Sequence, residues 1–248
     1  MGTPTRTDAA PAVLDVGPGG VVAELRRGPR LAPRILGREN GAVRAAFVPT
    51  QAGPLAGDQD RARIIVRAGA TLVVEPVAAT LALPGAARTL LALDIVVEAG
   101  GRLVLDEAPL IVAAGADVER RMTLTLAADA VAALRETVIL GRDGERPGTL
   151  SSALRATLEG RALLHDGLRL RDGDAHVALA PGHRVVTTLS LLGVRPDPAP
   201  GVLALEGPGA LVRCSGPSLA RVEASLAGLW DAWSRDVGAP QRALTVPA

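Results

Sequence analysis

Residues 61–74 read RARIIVRAGATLVV, and residues 95–105 read IVVEAGGRLVL. In the first, Ile64-Ile65-Val66 precedes the small turn Ala68-Gly69-Ala70, and Thr71-Leu72-Val73-Val74 follows it. In the second, Ile95-Val96-Val97 and Leu103-Val104-Leu105 flank Ala99-Gly100-Gly101, 31 residues further on. A weaker third copy runs from Leu124-Thr125-Leu126 through Ala127-Ala128-Asp129-Ala130 to residues 131–134. A fainter fourth spans residues 154–164 around Glu159-Gly160. Val, Ile, Leu and Thr runs cut by Gly or small residues are strand–turn–strand chemistry. A unit recurring about every 30 residues implies stacked copies, each burying what its neighbour alone cannot. The expected fold is therefore mainly β, with two layered, partly β-helical sheets built from stacked hairpins. A β-sandwich with similar hairpins is the alternative.

Outward from the repeat, the pattern changes. Residues 1–12 read as a flexible tail, and residues 13–248 as a single β domain. Residues 21–25 look like a strand. Arg26, Arg27, Arg30, Arg34 and Arg38 follow, broken by Pro29 and Pro33, which disfavour a helix. Strands and turns with solvated arginines are expected there. Asp172-Gly173 lies between apolar runs, a hairpin signal. Residues 185–192 read as a strand, 195–201 as a Pro-rich loop, and 203–205 and 210–213 as short strands. From Ser218 the periodicity becomes helical. Leu219, Val222, Leu226, Leu229, Trp230 and Trp233 share a stripe, predicting a helix over about 218–237 that ends before Gly238-Ala239-Pro240. Trp230 and Trp233 are candidates for packing this helix onto the sheets or for binding a partner.

Composition narrows the function. The chain has 248 residues and a net charge of +1, with all 27 basic residues arginine. This balance calls for neither nucleic acid nor an anionic membrane. Phe47, Trp230 and Trp233 are its aromatics, too few for base or sugar stacking platforms. Cys214 alone makes neither an internal disulfide nor a zinc knuckle. Residues 1–12 lack the charged head and apolar run of a signal peptide, and no uncharged apolar stretch reaches bilayer length. A cytoplasmic location is expected.

Catalytic patterns are missing. The sequence carries no phosphate-loop, dinucleotide, zinc-protease or nucleophile-elbow motif. His165-Asp166, adjacent on a strand, would point to opposite faces. The remaining metal-relevant groups are carboxylates near strand ends or turns: Asp58, Glu75, Asp106, Glu107, Glu136 and Glu145. Oxygen donors hold late first-row metal ions loosely compared with thiolates.

Three stretches, in order, resemble the UreD/UreH family of urease accessory proteins. FVPTQAGPLAGD at residues 47–58 resembles the glycine-rich segment that ends in Gly-Asp. Gly69-Ala70-Thr71-Leu72 through Ala78-Ala79-Thr80 resembles the second motif, with Val77 where the family often has Gln. Glu136 followed by Gly141-Arg142 and Gly144-Glu145 resembles the third. The resemblance covers roughly residues 20–240. It implies a non-enzymatic scaffold with no permanently bound cofactor, through which nickel passes transiently. It further implies partnership with the helical accessory protein UreF, the GTPase UreG and apo-urease. By position, it puts Asp58 and Glu136 on the nickel path as weak ligands, and Arg142 and Glu145 in a partner-binding or structural loop. The competing function is a non-catalytic β-sandwich module that binds protein or carbohydrate.

Overall fold

The computed structural model describes residues 10–171, 180 and 182–238. Its strands, in chain order, are β1 (Ala12–Val16), β2 (Val22–Arg26), β3 (Leu31–Glu39), β4 (Ala42–Pro49), β5 (Gln59–Val66), β6 (Thr71–Val74), β7 (Thr80–Ala82), β8 (Thr89–Val97) and β9 (Arg102–Asp106). They continue with β10 (Leu110–Val112), β11 (Asp117–Leu126), β12 (Val131–Leu140), β13 (Thr149–Leu158), β14 (Arg161–Leu170), β15 (Val185–Leu192), β16 (Leu203–Ala204) and β17 (Gly209–Gly216). Among the described residues, the one α-helix, α1, spans Leu219–Gly238.

The two strands of each repeat lie in different sheets. β5 leaves sheet one, turns at the Gly69 corner, and enters sheet two as β6. The copies pair in parallel with one another: Ile64 opposite Ile95, and Ile95 opposite Leu124 in sheet one. Thr71 lies opposite Arg102, and Arg102 opposite Val131, in sheet two. The 31-residue offset in the sequence is thus the first coil of a solenoid. Sheet one has the order β14-β13-β11-β8-β5-β1-β2. Sheet two has the order β16-β17-β15-β12-β9-β6-β4-β3, with β10 beside β12 and β7 beside β10. Antiparallel strands flank the coils: β1–β2 and β3–β4 on one side, β13–β14, β12–β15 and β15–β17 on the other.

Turn chemistry decides between corner and hairpin. Each corner has one left-handed residue, Gly69, Gly100 or Asp129. The faint fourth copy has two in succession, Glu159 (φ 49°) and Gly160 (φ 76°). That pair is what a two-residue hairpin turn needs, and β13 returns as β14 in the same sheet. Asn40-Gly41 does the same between β3 and β4.

Between the sheets, Leu14, Ile64, Leu72, Ile95, Leu103, Leu124, Leu126 and Leu134 form the main core, each 0–1% exposed. Each such side chain contributes about 1.5–3 kcal/mol by leaving water. A second inter-sheet cluster holds Val112, Val118, Val138, Leu140, Leu150 and Leu170. A third forms where α1 lays Val222, Leu226, Trp230, Trp233 and Val237 on the outer face of sheet two. Both tryptophans are thus buried between α1 and sheet two.

Two expectations change. Of the stretch 1–12, residues 1–9 lie outside the described residues, and Ala12 already begins β1, buried through its parallel pairing with β5. Arg30 is not solvated but 9% exposed, drawn inward by two aspartates. Pro33 sits in β3, which is the edge of sheet two, where a missing N–H is tolerated. Asp172-Gly173 lies outside the described residues.

Candidate functional site

The two inter-sheet cores are separated by a polar layer. On β11, Val118 belongs to one core and Met122 to the other, and Arg120 lies between them. On β12, Leu134 and Val138 belong to different cores, with Glu136 between. On β13, Ser152 lies between Leu150 and Leu154. Register carries this layer across the strands. In sheet one, Asp60, Leu91, Arg120 and Ser152 fall on one rung. In sheet two, Glu136, Thr188 and Arg213 fall on another. Glu107, one residue beyond the Asp106–Arg135 pair, continues that rung towards the first coils.

The layer opens where sheet two is interrupted. β6 stops before Pro76 and β9 before Pro109, since proline offers no N–H to a ladder. The ladder resumes at β7 and β10. The third coil has no proline at this point, and β12 runs unbroken. Beneath the gap lies a cavity of about 150 Å³, lined by Asp60, Leu93, Glu107, Leu110, Arg120 and Met122 among others. Such a space holds several waters. A smaller cavity of about 20 Å³ lies further along, bordered by Arg120, Glu136, Ser152, Asp166, Thr188 and Arg213. Arg120 borders both.

Glu107, just past the end of β9, neighbours Glu136 on β12, where like charges repel. Arg120 Nη2 bridges them, 2.7 Å from Glu107 Oε2 and in contact with Glu136 Oε2. Burial pushes the Glu107 carboxyl up to about 7, against the pull of Arg120; Glu136 and Asp106 push it the same way as burial. At the first-coil end, Arg30 Nε donates to Asp60 (2.7 Å) and Nη1 lies 3.0 Å from Asp58. Asp58 Oδ2 also accepts the Leu55 N–H, 2.7 Å away. Burial raises Asp60, and Arg30 opposes that rise. At the other end, Arg213 pairs with Asp166 and donates to Thr188 Oγ1 (3.0 Å).

The structure therefore places Asp58 and Glu136 both between the sheets but in different clusters, each beside an arginine. Arg142 and Glu145 lie elsewhere, in the loop after β12. Arg142 N–H and Nε donate to Glu145, at 3.0 and 2.7 Å, and Arg142 holds the carboxyl down at about 2. Arg184 fastens the same loop through the Gly141 carbonyl (2.7 Å) and Asp143. Gly141, at φ 72°, approaches the Arg146 carbonyl so closely that a Cβ would stand 2.8 Å from it. Trp230 and Trp233 are 6% and 4% exposed against sheet two, with Arg135 stacked over Trp230 at 4.9 Å. Arg30, Asp60 and Arg120 were missed. The signal for Arg120 was its phase: it shares the inward side of its strand with Val118, Met122, Leu124 and Leu126. Among the described residues, no three His, Cys, Asp or Glu side chains converge to hold a metal ion, and no helix is long and apolar enough to cross a membrane.

The family model described as UreD urease accessory protein matches residues 20–247. Among curated relatives, urease accessory protein UreD 1 of Streptomyces griseus is 40% identical over 85% of this chain and 84% of its own length. UreD of a Parafrankia species is 35% identical over 88% of this chain and 82% of its own. UreD of Streptomyces coelicolor is 35% identical over 77% and 82%. With parallel coils in place of a sandwich and a family match over most of its length, the chain belongs to the UreD family of urease accessory proteins.

Proposed function

We propose that this chain serves urease maturation as a non-enzymatic cytoplasmic scaffold, offering nickel(II) an interior route along the polar layer between its sheets. The observation behind this is the register-aligned series of oxygen donors that splits an otherwise aliphatic interior. Glu107, Glu136, Thr188 and Ser152 are hard, exchangeable ligands, suited to passing nickel on. A conduit must bind weakly enough to release its cargo. Asp58 and Asp60 stand at the first-coil end of the layer, and Asp166 at the other. The partners in this reading are UreF, UreG and apo-urease. GTP hydrolysis falls to UreG, so the chain needs no nucleotide loop.

The test is co-expression of urease with its accessory proteins, carrying either the native chain or Glu136→Gln. The nickel content of the purified urease is then measured. The expected result is under-loaded urease with the variant, while the variant chain still folds and co-purifies with its partners. Full nickel content with Glu136→Gln, and with Asp58→Asn, would remove these residues from the route.

A further inference from the structure

We propose that Arg120 is a tethered cation occupying the place between Glu107 and Glu136 that a divalent metal ion takes when its guanidinium swings aside. This rests on the conduit reading and adds a gate to it.

The grip of Arg120 differs from that of Arg67 and Arg135. Arg67 holds Asp15 through both Nε and Nη2, each at 2.7 Å. Arg135 holds Asp106 through the same two nitrogens. That planar fork is how a guanidinium is fixed in place. Arg120 instead offers Nη2 alone to both carboxylates, and its Nε is buried without a hydrogen-bond partner. A buried donor left unpaired is costly, because it has given up water without a replacement. The resting position is therefore poorly satisfied.

There is somewhere for the side chain to go. Arg120 borders both cavities, and the one on the Glu107 side is about 150 Å³, against about 20 Å³ on the other. Swinging into the larger cavity would bring its free donors to water. It would also join the two spaces across the Glu107–Glu136 pair.

Charge points the same way. Two carboxylates face one guanidinium. A divalent ion neutralises both carboxylates. On its arrival the guanidinium keeps its proton and moves.

The experiment titrates nickel chloride into the full-length chain, native and Arg120→Gln, by calorimetry. If the open state is a minor one, removing the gate tightens nickel binding about tenfold or more. The gain should vanish in Arg120→Gln/Glu136→Gln. Equal nickel affinity in the native chain and Arg120→Gln overturns the gate. If Arg120→Gln folds poorly, its melting temperature is measured with and without nickel. Recovery by nickel, larger than any shift in the native chain, supports the metal taking the guanidinium's place; no recovery overturns it. The conduit reading fails separately: Glu136→Gln would then load urease normally, whatever Arg120→Gln does.

Discussion

Two buried arginines face two carboxylates each, and the fold treats them differently. Arg30 is enclosed on every side. Nε donates to Asp60, Nη1 to Gln51 at 2.8 Å beside Asp58, and Nη2 to the Gly53 carbonyl. Arg120 meets Glu107 and Glu136 through one nitrogen and leaves Nε unpaired. Both are below a tenth exposed, so burial does not separate them. Satisfaction of the donors does. A fully bonded guanidinium ties the 50s loop to β5, whereas a partly bonded one between cavities is free to exchange partners.

The largest effect that would test this contrast is Arg30→Met. It leaves Asp58 and Asp60 buried without their cation. Breaking a buried pair from one side costs about 3–5 kcal/mol. Urea unfolding should show that loss. Arg120→Met should cost less, roughly 1–3 kcal/mol, because it also removes an unpaired donor and its carboxylates border a cavity with room for water. Equal losses at the two sites would erase the distinction between a fixed and an exchangeable cation.

Neither cluster was equally legible beforehand. Asp58 and Glu136 stood out through motif resemblance, but Arg30 read as one member of a solvated basic run. Nothing local to residues 26–38 signals that Asp58 and Asp60, about thirty residues on, will fold over it. Arg120 was readable in principle, because its strand alternates cleanly and it holds an inward position. Glu107 was harder, since it lies at the Asp106–Leu110 break and carries no strand phase of its own. The repeat was plain in the sequence because each coil reuses the same apolar runs. Whether a copy turns a corner or folds back depended on one left-handed residue against two. Glu159 gave no sign of its positive φ, because that conformation is unusual for a residue other than Gly, Asn or Asp.

A smaller effect sharpens the contrast through pH. Glu107 ionises at about 7 in the fold against 4.5 ordinarily, mainly through burial. It faces Arg120 and Glu136 between the sheets, with Asp106 beside it. An acid whose folded value is raised favours the fold while protonated. Its contribution is complete below about 4.5 and lost as pH rises through about 7. Stability should therefore fall across that window by at most about 3 kcal/mol. Glu107→Gln should flatten that part of the curve, as measured by urea midpoints at several pH values. An unchanged slope in the variant would mean that Glu107 titrates as an ordinary exposed carboxylate.

The smallest effect belongs to a third arginine–carboxylate pair, which lies outside the polar layer. Arg142 forks onto Glu145 in the loop after β12, and Arg142 is largely exposed. Hydrogen bonds from the Arg142 side chain and backbone lower Glu145 to about 2. The sign is opposite to that of Glu107. This pair's contribution is present above about 4.5 and lost as pH falls through about 2. Exposed pairs contribute little to global stability because water screens them. Glu145→Gln should therefore leave the unfolding midpoint in place at neutral pH while speeding hydrogen exchange at the Arg142 amide, which Glu145 accepts. Urease nickel loading should stay normal if the loop only shapes the end of β12. Loss of loading with an unmoved midpoint would instead give the loop a place in partner contact, and the functional difference would then run between interior and loop as well as between Arg30 and Arg120.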